Sequence, residues 1–320
     1  MTESRFVVSL DMELMWGVRD KRSKEDYGRQ VLGEREAIPA MLDLFEREGI
    51  HATWAVVGMA MCDGVDELLA RAPAARPTYA DPRQSNYSYL SEAGASEKQD
   101  PYYFAPSMIR RIADCPGREI CTHTFSHYYC LEPGQTTAQF DADLEAARSQ
   151  LADWGLECRS IVFPRNQYAG KHLKVCADKG ITVFRGTERS WFYRSASSGE
   201  QVPLRRLGRM IDTYLPLSGA NLADPAPEGP VINVPSSRFL RAYDRKLRRL
   251  DGLRLDRITS AMTQAAKAGS VFHLWWHPHN FGADTAENIR FLARVLGHFA
   301  RLRDRYGMTS ATMAEAAAAR

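Results

Sequence analysis

The chain has 320 residues, of which 44% are hydrophobic and 25% charged, and its formal net charge is +3. These values are ordinary for a soluble globular protein with a sizeable core, and the net charge is too small to indicate nucleic-acid binding. No apolar run reaches the length of a membrane span, so we expect no transmembrane segment. The length fits one large α/β domain and no clear linker divides the sequence, so we expect a single domain over residues 1–320.

The N-terminus and the cysteines predict a cytoplasmic protein. A polar leader of only four residues precedes the first apolar stretch, and Asp11 and Glu13 interrupt that stretch, which is unlike a signal peptide. None of the six cysteines forms a Cys-x-x-Cys pair, so a zinc–thiolate site is not indicated. In a reducing compartment these cysteines are expected to be free thiols.

Short apolar runs alternate along the chain with longer amphipathic segments. Strands are predicted over residues 5–10, 53–57, 120–125, 160–163, 181–184, 231–234 and 270–275. Helices are predicted over residues 36–48, 136–154, from about 171 and after 284. Thr136 with Gln139, and Asp284 with Glu287, have the spacing of capping boxes. The repeated strand–helix order predicts a parallel sheet, most simply an α/β barrel of about seven strands.

Three segments interrupt or complicate this order. Residues 76–100 and 195–229 are polar and rich in turn-forming residues, and they are predicted to be long inserted loops of the kind that often build barrel active sites. Residues 238–257 carry eight Lys or Arg residues interleaved with apolar ones. Two interpretations stay open for that segment, a solvated amphipathic helix or a surface for a phosphate-bearing substrate.

Two acidic residues lie at the end of the first predicted strand. In an extended chain Asp11 and Glu13 project from the same face, roughly 7 Å apart. Because the strand ends there, both carboxylates are expected to face one cleft at the carboxyl edge of the sheet. The spacing suits one carboxylate on a metal and one acting as a base, and the alternative is a pair of solvated acids at a strand end.

Five of the eight histidines lie in two short segments. His123 and His127 are four residues apart, which on a helical turn would let two imidazoles bind one metal ion. His273 and His277 would lie roughly 13 Å apart along a strand, so they cannot both bind that ion. His277 precedes Pro278 and is predicted at the barrel rim as the titrating catalytic residue, with His273 in the core and His279 as its competitor.

These segments together resemble the motifs of the polysaccharide deacetylases of carbohydrate esterase family four. Residues 9–13 (SLDME) are similar to the first motif, a base aspartate just before a metal-binding acid, although the usual form has two adjacent aspartates. Residues 123–127 (HTFSH) fit the second motif, and residues 274–277 (LWWH) resemble the last, an apolar strand that ends in the acid histidine. The resemblance covers residues 5–315 and implies a distorted (β/α) barrel.

The two remaining motifs are altered. The third, an arginine followed by proline and an aromatic residue, corresponds to residues 162–168 (VFPRNQY), where the proline comes before the arginine. The resemblance implies that Arg165 orients the base, and it leaves the donor for the developing oxyanion unassigned. The fourth motif is only echoed by Glu188 and Trp191.

The resemblance implies a metal-dependent amide hydrolase. The three implied ligands of one divalent cation, with zinc expected, are Glu13, His123 and His127. An open position on that cation would hold the water that attacks the amide. Asp11 would take the water proton, Arg165 would keep Asp11 anionic, and protonated His277 would donate to the leaving amine. The residues predicted to contact substrate are Tyr168, Trp191, Trp275 and His279, and the alternative for the tryptophans is an ordinary core position.

The implied substrate is a carbohydrate, from which an N-acyl group, with acetyl expected, is removed during surface polysaccharide or O-antigen biosynthesis. A nucleotide-linked or lipid-linked amino sugar is one option for this substrate, and it would allow a peripheral membrane contact. One alternative is a deformylase or a cyclic-ureide amidohydrolase on the same fold. A second is a non-catalytic carbohydrate-binding protein, against which the joint presence of Asp11, Glu13, His123, His127 and His277 argues.

Overall fold

A curled sheet with helices packed outside it forms the framework of the computed structural model, which describes residues 3–319. Its strands are β1 (Arg5–Met12), β2 (Ala52–Val56), β3 (Arg118–Thr122), β4 (Ser160–Ile161), β5 (Val183–Phe184), β6 (Ala226–Glu228), β7 (Val231–Asn233), β8 (Arg238–Phe239), β9 (Val271–Trp276) and β10 (Thr309–Ala311). The sheet order is β6-β7-β5-β4-β3-β2-β1-β9-β8, and β10 pairs with the first three residues of β1, ahead of the point where the pairing with β2 begins. Every pairing in this described part is parallel except β6 with β7, which confirms the predicted parallel α/β barrel.

The segment that joins β7 to β8 brings the two sides of the sheet together. The Val234 amide donates to the Phe184 carbonyl at 2.9 Å, and the Ser237 amide donates to the His273 carbonyl at 2.8 Å. One short stretch of chain thus contacts both β5 and β9, and the sheet curls into a distorted barrel.

The described helices lie mostly outside the sheet. They are α1 (Lys24–Glu48), α2 (Val65–Arg71), α3 (Pro106–Ala113), α4 (Thr137–Asp153), α5 (Gly170–Asp178), α6 (Pro203–Asp212), α7 (Asp251–Ala268), α8 (Thr285–Tyr306) and α9 (Met313–Ala318). None of those within residues 3–319 is both long and apolar enough to cross a bilayer.

Helix boundaries follow local capping chemistry only in part. Helix α4 begins at Thr136 with the predicted capping box, in which the Thr136 hydroxyl accepts from the Gln139 amide. Helix α1 begins twelve residues before the predicted start at 36, because Ser23 and Asp26 form a capping box that the pattern did not reveal. The predicted box at Asp284 is wrong, since its side chain makes no capping bond.

The three segments that interrupt or complicate the strand–helix order in the sequence have different structures. Residues 76–100 form a long loop with only short 3-10 turns, Pro82–Gln84 and Asn86–Glu92, as predicted. Residues 195–229 contain helix α6, so that segment is not simply a loop. Residues 238–257 are not one helix, because β8 and a loop precede α7.

The barrel interior is apolar at one end and polar at the other. Val7, Ala55, Cys121, Val162 and Val183 form its apolar layer, with one residue from each of five neighbouring strands or strand ends. Towards the carboxyl ends of the strands, buried polar side chains replace these residues, and the candidate site lies there.

Candidate active site

A cleft of about 370 Å³ opens where the strands end, as is usual for parallel barrels. Asp11 and Glu13 reach it from the end of β1, and His277 reaches it from the end of β9. His127 comes from the loop after β3, and Asn166 from the turn after β4. The structure therefore brings together the two carboxylates and the histidines that the sequence singled out.

Glu13 contacts three imidazoles. Its Oε1 atom lies 3.0 Å from His123 Nε2, 3.2 Å from His127 Nε2 and 3.4 Å from His277 Nε2. The first two of these histidines and Glu13 are buried, and their ligand atoms all lie within 4.8 Å of one another. Burial alone would raise the pKa of Glu13, but the charges of His277 and His127 hold it well below its usual value.

The protonation of His123 tests whether these residues fit a cation. Its Nδ1 atom lies 2.7 Å from the Val162 carbonyl oxygen, which can only accept a hydrogen bond. A neutral His123 that donates there presents a lone pair on Nε2 to the carboxylate of Glu13. Two acceptors at that distance need a proton or a cation between them, so the donor set fits a divalent metal, and its nitrogen–oxygen chemistry suits zinc.

A second group could also hold a cation, because Asp11, Glu13 and His277 satisfy the same distance limit. Two observations favour the first group. Asp11 is already neutralised by an arginine, as described below, and the His277 side chain is 23% exposed whereas those of His123 and His127 are 1% exposed.

The loop that carries His123 and His127 is not the helical turn that the sequence predicted. Thr124 and His127 have positive φ angles of 63° and 57°, so the chain turns sharply between the two imidazoles. Asp143 on α4 holds this turn, because its carboxylate accepts from the Phe125 amide at 2.8 Å and the Ser126 amide at 3.1 Å. Both histidines still face Glu13, but a supported irregular turn places them.

Glu13 also depends on a glycine. A Cβ atom at Gly17 would lie 1.8 Å from Glu13 Oε2, so only glycine leaves room for the carboxylate in its observed position. The short 3-10 turn Leu14–Gly17 follows β1 after Glu13, and its last residue packs against the Glu13 side chain.

Arg185, and not Arg165, pairs with Asp11, which corrects the prediction from the third motif. The Arg185 guanidinium donates to both carboxylate oxygens, at 2.6 Å and 2.7 Å, and both side chains are almost fully buried. Burial alone would raise the pKa of Asp11, yet the charge of Arg185 and its hydrogen bonds lower it. Sequence reasoning missed Arg185, although it directly follows the predicted strand 181–184.

Arg165 lines the cleft but points elsewhere. It pairs with Asp20, donates to the Ser198 hydroxyl at 3.2 Å, and its guanidinium carbon lies 4.0 Å from the centre of the Tyr129 ring. The Tyr129 hydroxyl oxygen in turn lies 3.2 Å from His127 Nδ1. Arg165 thus supports the wall beside His127 and does not touch the base.

His273 supports Arg185 from below. Its Nε2 atom lies 2.8 Å from the Ser9 hydroxyl, which accepts from Arg185 Nη1 at 3.0 Å. His273 Nδ1 faces the Val234 carbonyl at 3.3 Å, and burial together with the charge of Arg185 lowers the pKa of His273 to about 3. A neutral His273 therefore fixes Ser9, and Ser9 helps to fix the guanidinium.

The two rim histidines differ in pKa. His277 Nε2 lies 3.7 Å from Asp11 Oδ2, and although burial opposes its charge, Glu13 and Asp11 raise its pKa above the usual value. His279 stacks on His277 with ring centres 5.1 Å apart, and burial and the charge of His277 lower its pKa to about 3. Only His277 combines a position in the cleft with a readily held proton.

The four residues predicted to contact substrate have different positions. Trp275 and His279 line the cleft, and the Arg185 guanidinium carbon lies 4.1 Å from the centre of the Trp275 ring. Tyr168 instead packs between Phe163 and Phe184 in the core beside α5, so it lies away from the cleft. Trp191 is 50% exposed and lines neither the cleft nor the cavity next to it.

Backbone strain is concentrated around this site. Within residues 3–319, the non-glycine residues with positive φ angles are Leu14, Thr124, His127, Arg165, Asn166 and Asn221. All but Asn221 flank the cleft, on the turns after β1, β3 and β4. Such conformations persist only where the surrounding structure enforces them, which is typical of functional sites.

The fold is a mostly parallel α/β barrel, and the cleft at the carboxyl ends of its strands holds a carboxylate–histidine cluster that fits a divalent cation. Residues 26–184 match the family model described as polysaccharide deacetylase, and the chain belongs to that family. The family is generally metal-dependent, in agreement with the candidate metal cluster of the cleft.

Solved structures resemble the chain over nearly its whole length. A putative polysaccharide deacetylase from Mycobacterium smegmatis is 14% identical, with 97% of this chain and 93% of that chain covered and a TM-score of 0.56. A probable polysaccharide deacetylase from Pseudomonas aeruginosa PAO1 is 14% identical, with coverage of 99% and 91% and a TM-score of 0.56. Puue allantoinase is 12% identical, with coverage of 98% and 89% and the same TM-score. At these identities the likeness establishes the fold alone, and no curated protein matches the chain.

Proposed function

We propose that this protein is a metal-dependent hydrolase that removes an N-acyl group, with acetyl expected, from an amino sugar. The observation that carries the proposal is the combination in one cleft of three different groups. These are an arginine-paired aspartate, a buried Glu–His–His cluster and a rim histidine with a raised pKa. Amide hydrolysis needs a base, a means of polarising the carbonyl and an acid for the poor leaving group.

Each residue has a distinct part in this proposal. Glu13, His123 and His127 would hold the cation, which when bound polarises the amide carbonyl and makes a water more acidic. Asp11 accepts a proton from the attacking water, and its pairing with Arg185 keeps it anionic. His277 donates a proton to the amine nitrogen as the carbon–nitrogen bond breaks.

The proposed substrate is an intermediate of surface polysaccharide synthesis, such as an O-antigen sugar carried on a nucleotide or a lipid. The family and the names of two structural relatives support a carbohydrate substrate. The six cysteines are all free, which suits the reducing cytoplasm as the proposed location.

The test is a screen of released acetate and formate from a panel of N-acetyl and N-formyl amino sugars, with a cyclic ureide such as allantoin included. Acetate release from an amino sugar, lost on chelation and restored by zinc, is the expected result. Predominant formate release or ureide opening would replace the proposed substrate class, and no turnover by metal-loaded protein would favour a carbohydrate-binding protein.

Two variants separate metal binding from catalysis. Asp11→Asn should keep the metal and lose at least about two orders of magnitude in turnover. His127→Ala should lose the metal itself, which elemental analysis measures. Unchanged metal stoichiometry in His127→Ala, or near-native turnover in Asp11→Asn, would contradict the proposed roles.

A further inference from the structure

A second cavity, of about 470 Å³, adjoins the catalytic cleft. The two share Arg165, Asn166, Phe239, Trp275 and His277 in their walls, so a molecule in the cleft can extend directly into the second cavity. We call it the basic cavity because its walls carry an unusual number of cationic side chains.

Five cations of the basic cavity have no carboxylate partner among residues 3–319. They are Lys21, Arg194, Arg206, Arg209 and Arg241. Arg209 donates only to neutral oxygens, the Phe192 carbonyl at 2.6 Å and Gln201 at 3.1 Å. By contrast, Arg165 and Arg238 in the same walls are paired with Asp20 and Asp212.

The cavity does not neutralise this charge itself. Its one acidic wall residue, Glu188, is buried, and burial raises its pKa towards the neutral form. The cations also repel one another: burial and then the charges of Arg165 and Arg206 lower the pKa of Lys21, and burial with Arg205 and Arg206 lowers that of Arg209. An anion in the cavity would relieve both effects.

We propose that the basic cavity binds the phosphate groups of the substrate while its acylamino sugar occupies the catalytic cleft. Several guanidinium groups around one cavity suit phosphate oxygens, which they bind in pairs. A sugar carboxylate would compensate only one of the five cations, whereas a diphosphate carries several charges. This inference rests on the proposed function and narrows its substrate to a glycosyl phosphate or diphosphate.

The first experiment measures binding of inorganic pyrophosphate by calorimetry, independently of turnover. The double variant Arg206→Gln with Arg241→Gln should weaken binding at least tenfold, and this dependence separates the cavity from the metal cluster. The matched control is Arg111→Gln with Arg301→Gln, which removes two exposed arginines outside the cavity. Pyrophosphate binding that the cavity variant leaves unchanged would overturn the proposal.

The second experiment compares kcat/KM for one acetylamino sugar in three forms: free, nucleotide-diphosphate-linked and lipid-diphosphate-linked. At least one diphosphate form should exceed the free sugar about a hundredfold, and the cavity variant should erase that preference without slowing the free sugar. The preferred form identifies the carrier. Equal rates for all three forms would overturn the phosphate subsite but keep the deacetylase, whereas pyrophosphate binding without any hydrolysis would overturn the deacetylase alone.

Helix α6, beside this cavity, carries an independent signal because it exposes large apolar side chains. Two of its four charged residues, Arg205 and Asp212, are buried at 9% and 0% exposure, while Leu204, Leu207 and Met210 are 61%, 46% and 41% exposed. This orientation is fixed, because Asp212 pairs with Arg238 and Arg205 bonds to backbone carbonyls of the 191–194 segment. The three exposed residues form what we call the α6 apolar face.

Exposed apolar side chains are concentrated around this helix. Of the nine large hydrophobic residues that are exposed in the described chain, seven lie between residues 191 and 217. Cations surround them: Arg206 lies on α6 itself, and Tyr214, just after α6, interacts with Arg241 at the start of a basic loop. Within that loop Arg245, Lys246, Arg248 and Arg249 line a common hollow.

We infer that the α6 apolar face docks on the surface of an anionic lipid bilayer. A short helix with an apolar face and a cationic border is typical of interfacial membrane binding, since apolar burial and attraction to acidic lipids add. Because Met210 belongs to both the apolar face and the wall of the basic cavity, docking would place the cavity mouth at the lipid surface.

Co-flotation with vesicles tests this inference. The protein should bind vesicles that contain phosphatidylglycerol, more weakly at high salt, and should not bind pure phosphatidylcholine vesicles. Leu204→Ser with Leu207→Ser should reduce binding at least tenfold, whereas the control Leu69→Ser with Leu253→Ser, exposed outside this segment, should not. Absence of vesicle binding, or a dimer in solution that the Leu204 and Leu207 variant dissociates, would overturn membrane docking.

Discussion

Asp11 can act as a base only if it stays anionic in a buried position, and Arg185 is the group that allows this. The bidentate pair satisfies both carboxylate oxygens, while Ser9 and Trp275 hold the guanidinium from other sides. We predict that Arg185→Lys lowers kcat/KM by roughly 100-fold, because lysine cannot reproduce the paired bonds and small misplacements are costly. Arg185 acts through Asp11 and is therefore a positioning residue.

The pH profile distinguishes this role from a merely structural one. A folded pKa below the usual value keeps Asp11 ionised down to low pH, so weakening the pair should raise that pKa and move the acidic limb of kcat/KM to higher pH. Arg165→Lys is the matched control and should leave the acidic limb in place. If Arg165→Lys moves that limb and Arg185→Lys does not, the motif-based assignment was right after all.

His277 is predicted to be the acid because its pKa is raised, whereas that of His279 is lowered. The charges of Glu13 and Asp11 raise the pKa of His277, whereas burial lowers that of His279 to about 3. His277 is protonated below its pKa, so its loss should remove the high-pH limb of the rate profile. His277→Ala should slow amides far more than aryl esters, whose leaving groups need no proton.

The control for this prediction is His279→Ala, assayed on the same amide and ester. It should not show the selective amide defect, since a neutral His279 packs against His277 and Tyr27. A selective amide defect in His279→Ala alone would exchange the two roles. Equal loss of amide and ester activity in both variants would make the segment structural.

At the scale of secondary structure elements, α4 positions the metal cluster through Asp143. Its carboxylate accepts from two successive amides of the turn between His123 and His127. Asp143→Asn would turn an amide NH2 towards at least one of these donors, so we predict metal affinity lower by roughly 10- to 100-fold. The measurement is a zinc competition titration, and the fold should persist by circular dichroism.

Asp141→Asn, on the same helix, is the matched control. Asp141 is half-buried and pairs with Lys179 at 3.4 Å, and its described partners do not include the turn between His123 and His127. The zinc affinity of the Asp141→Asn variant should equal that of the unchanged protein. Equal affinities for both variants would show that the turn holds its shape without Asp143.

The sequence revealed the site wherever a strand is long enough to leave an apolar pattern. Strands β1 and β9 have eight and six residues, and the residues at their ends, Asp11, Glu13 and His277, were predicted in the cleft. Strand β5 has only two residues, and although Arg185 directly follows the predicted strand 181–184, no motif singled it out. The altered third motif drew attention to Arg165, one strand earlier in the chain.

Local spacing alone misled the prediction in two places. The four-residue spacing of His123 and His127 suggests a helix, but a tertiary support from α4 enforces a turn with positive φ angles. The basic segment 238–257 is helical only in its last part. Its first residues form strand β8, where Arg238 pairs with Asp212. Such long-range pairs leave no signal in neighbouring residues.

Across the whole molecule, function is concentrated at one end of the barrel at a cost to stability. Glu34 on α1 shows this cost, since its side chain is 1% exposed and neither carboxylate oxygen has a hydrogen-bond partner. Burial, and then the nearby charge of Glu13, raise the pKa of Glu34 to about 8. An acid with a raised folded pKa binds its proton more tightly in the folded state than in the unfolded chain.

The sign of the resulting pH dependence follows directly. Between the ordinary glutamate pKa of 4.5 and the folded value of about 8, the unfolded chain has released the proton while the folded protein retains it, so stability falls as pH rises through this window. Glu34→Gln is neutral at every pH and should lose this dependence. We predict equal or lower stability of Glu34→Gln at pH near 4 and a gain of up to about 5 kcal/mol relative to the unchanged protein near pH 9. Urea unfolding at both pH values measures this stability difference, and Glu36→Gln, an exposed position on the same helix, is the control. If stability depends on pH in the same way for all three proteins, Glu34 is ionised in the folded state.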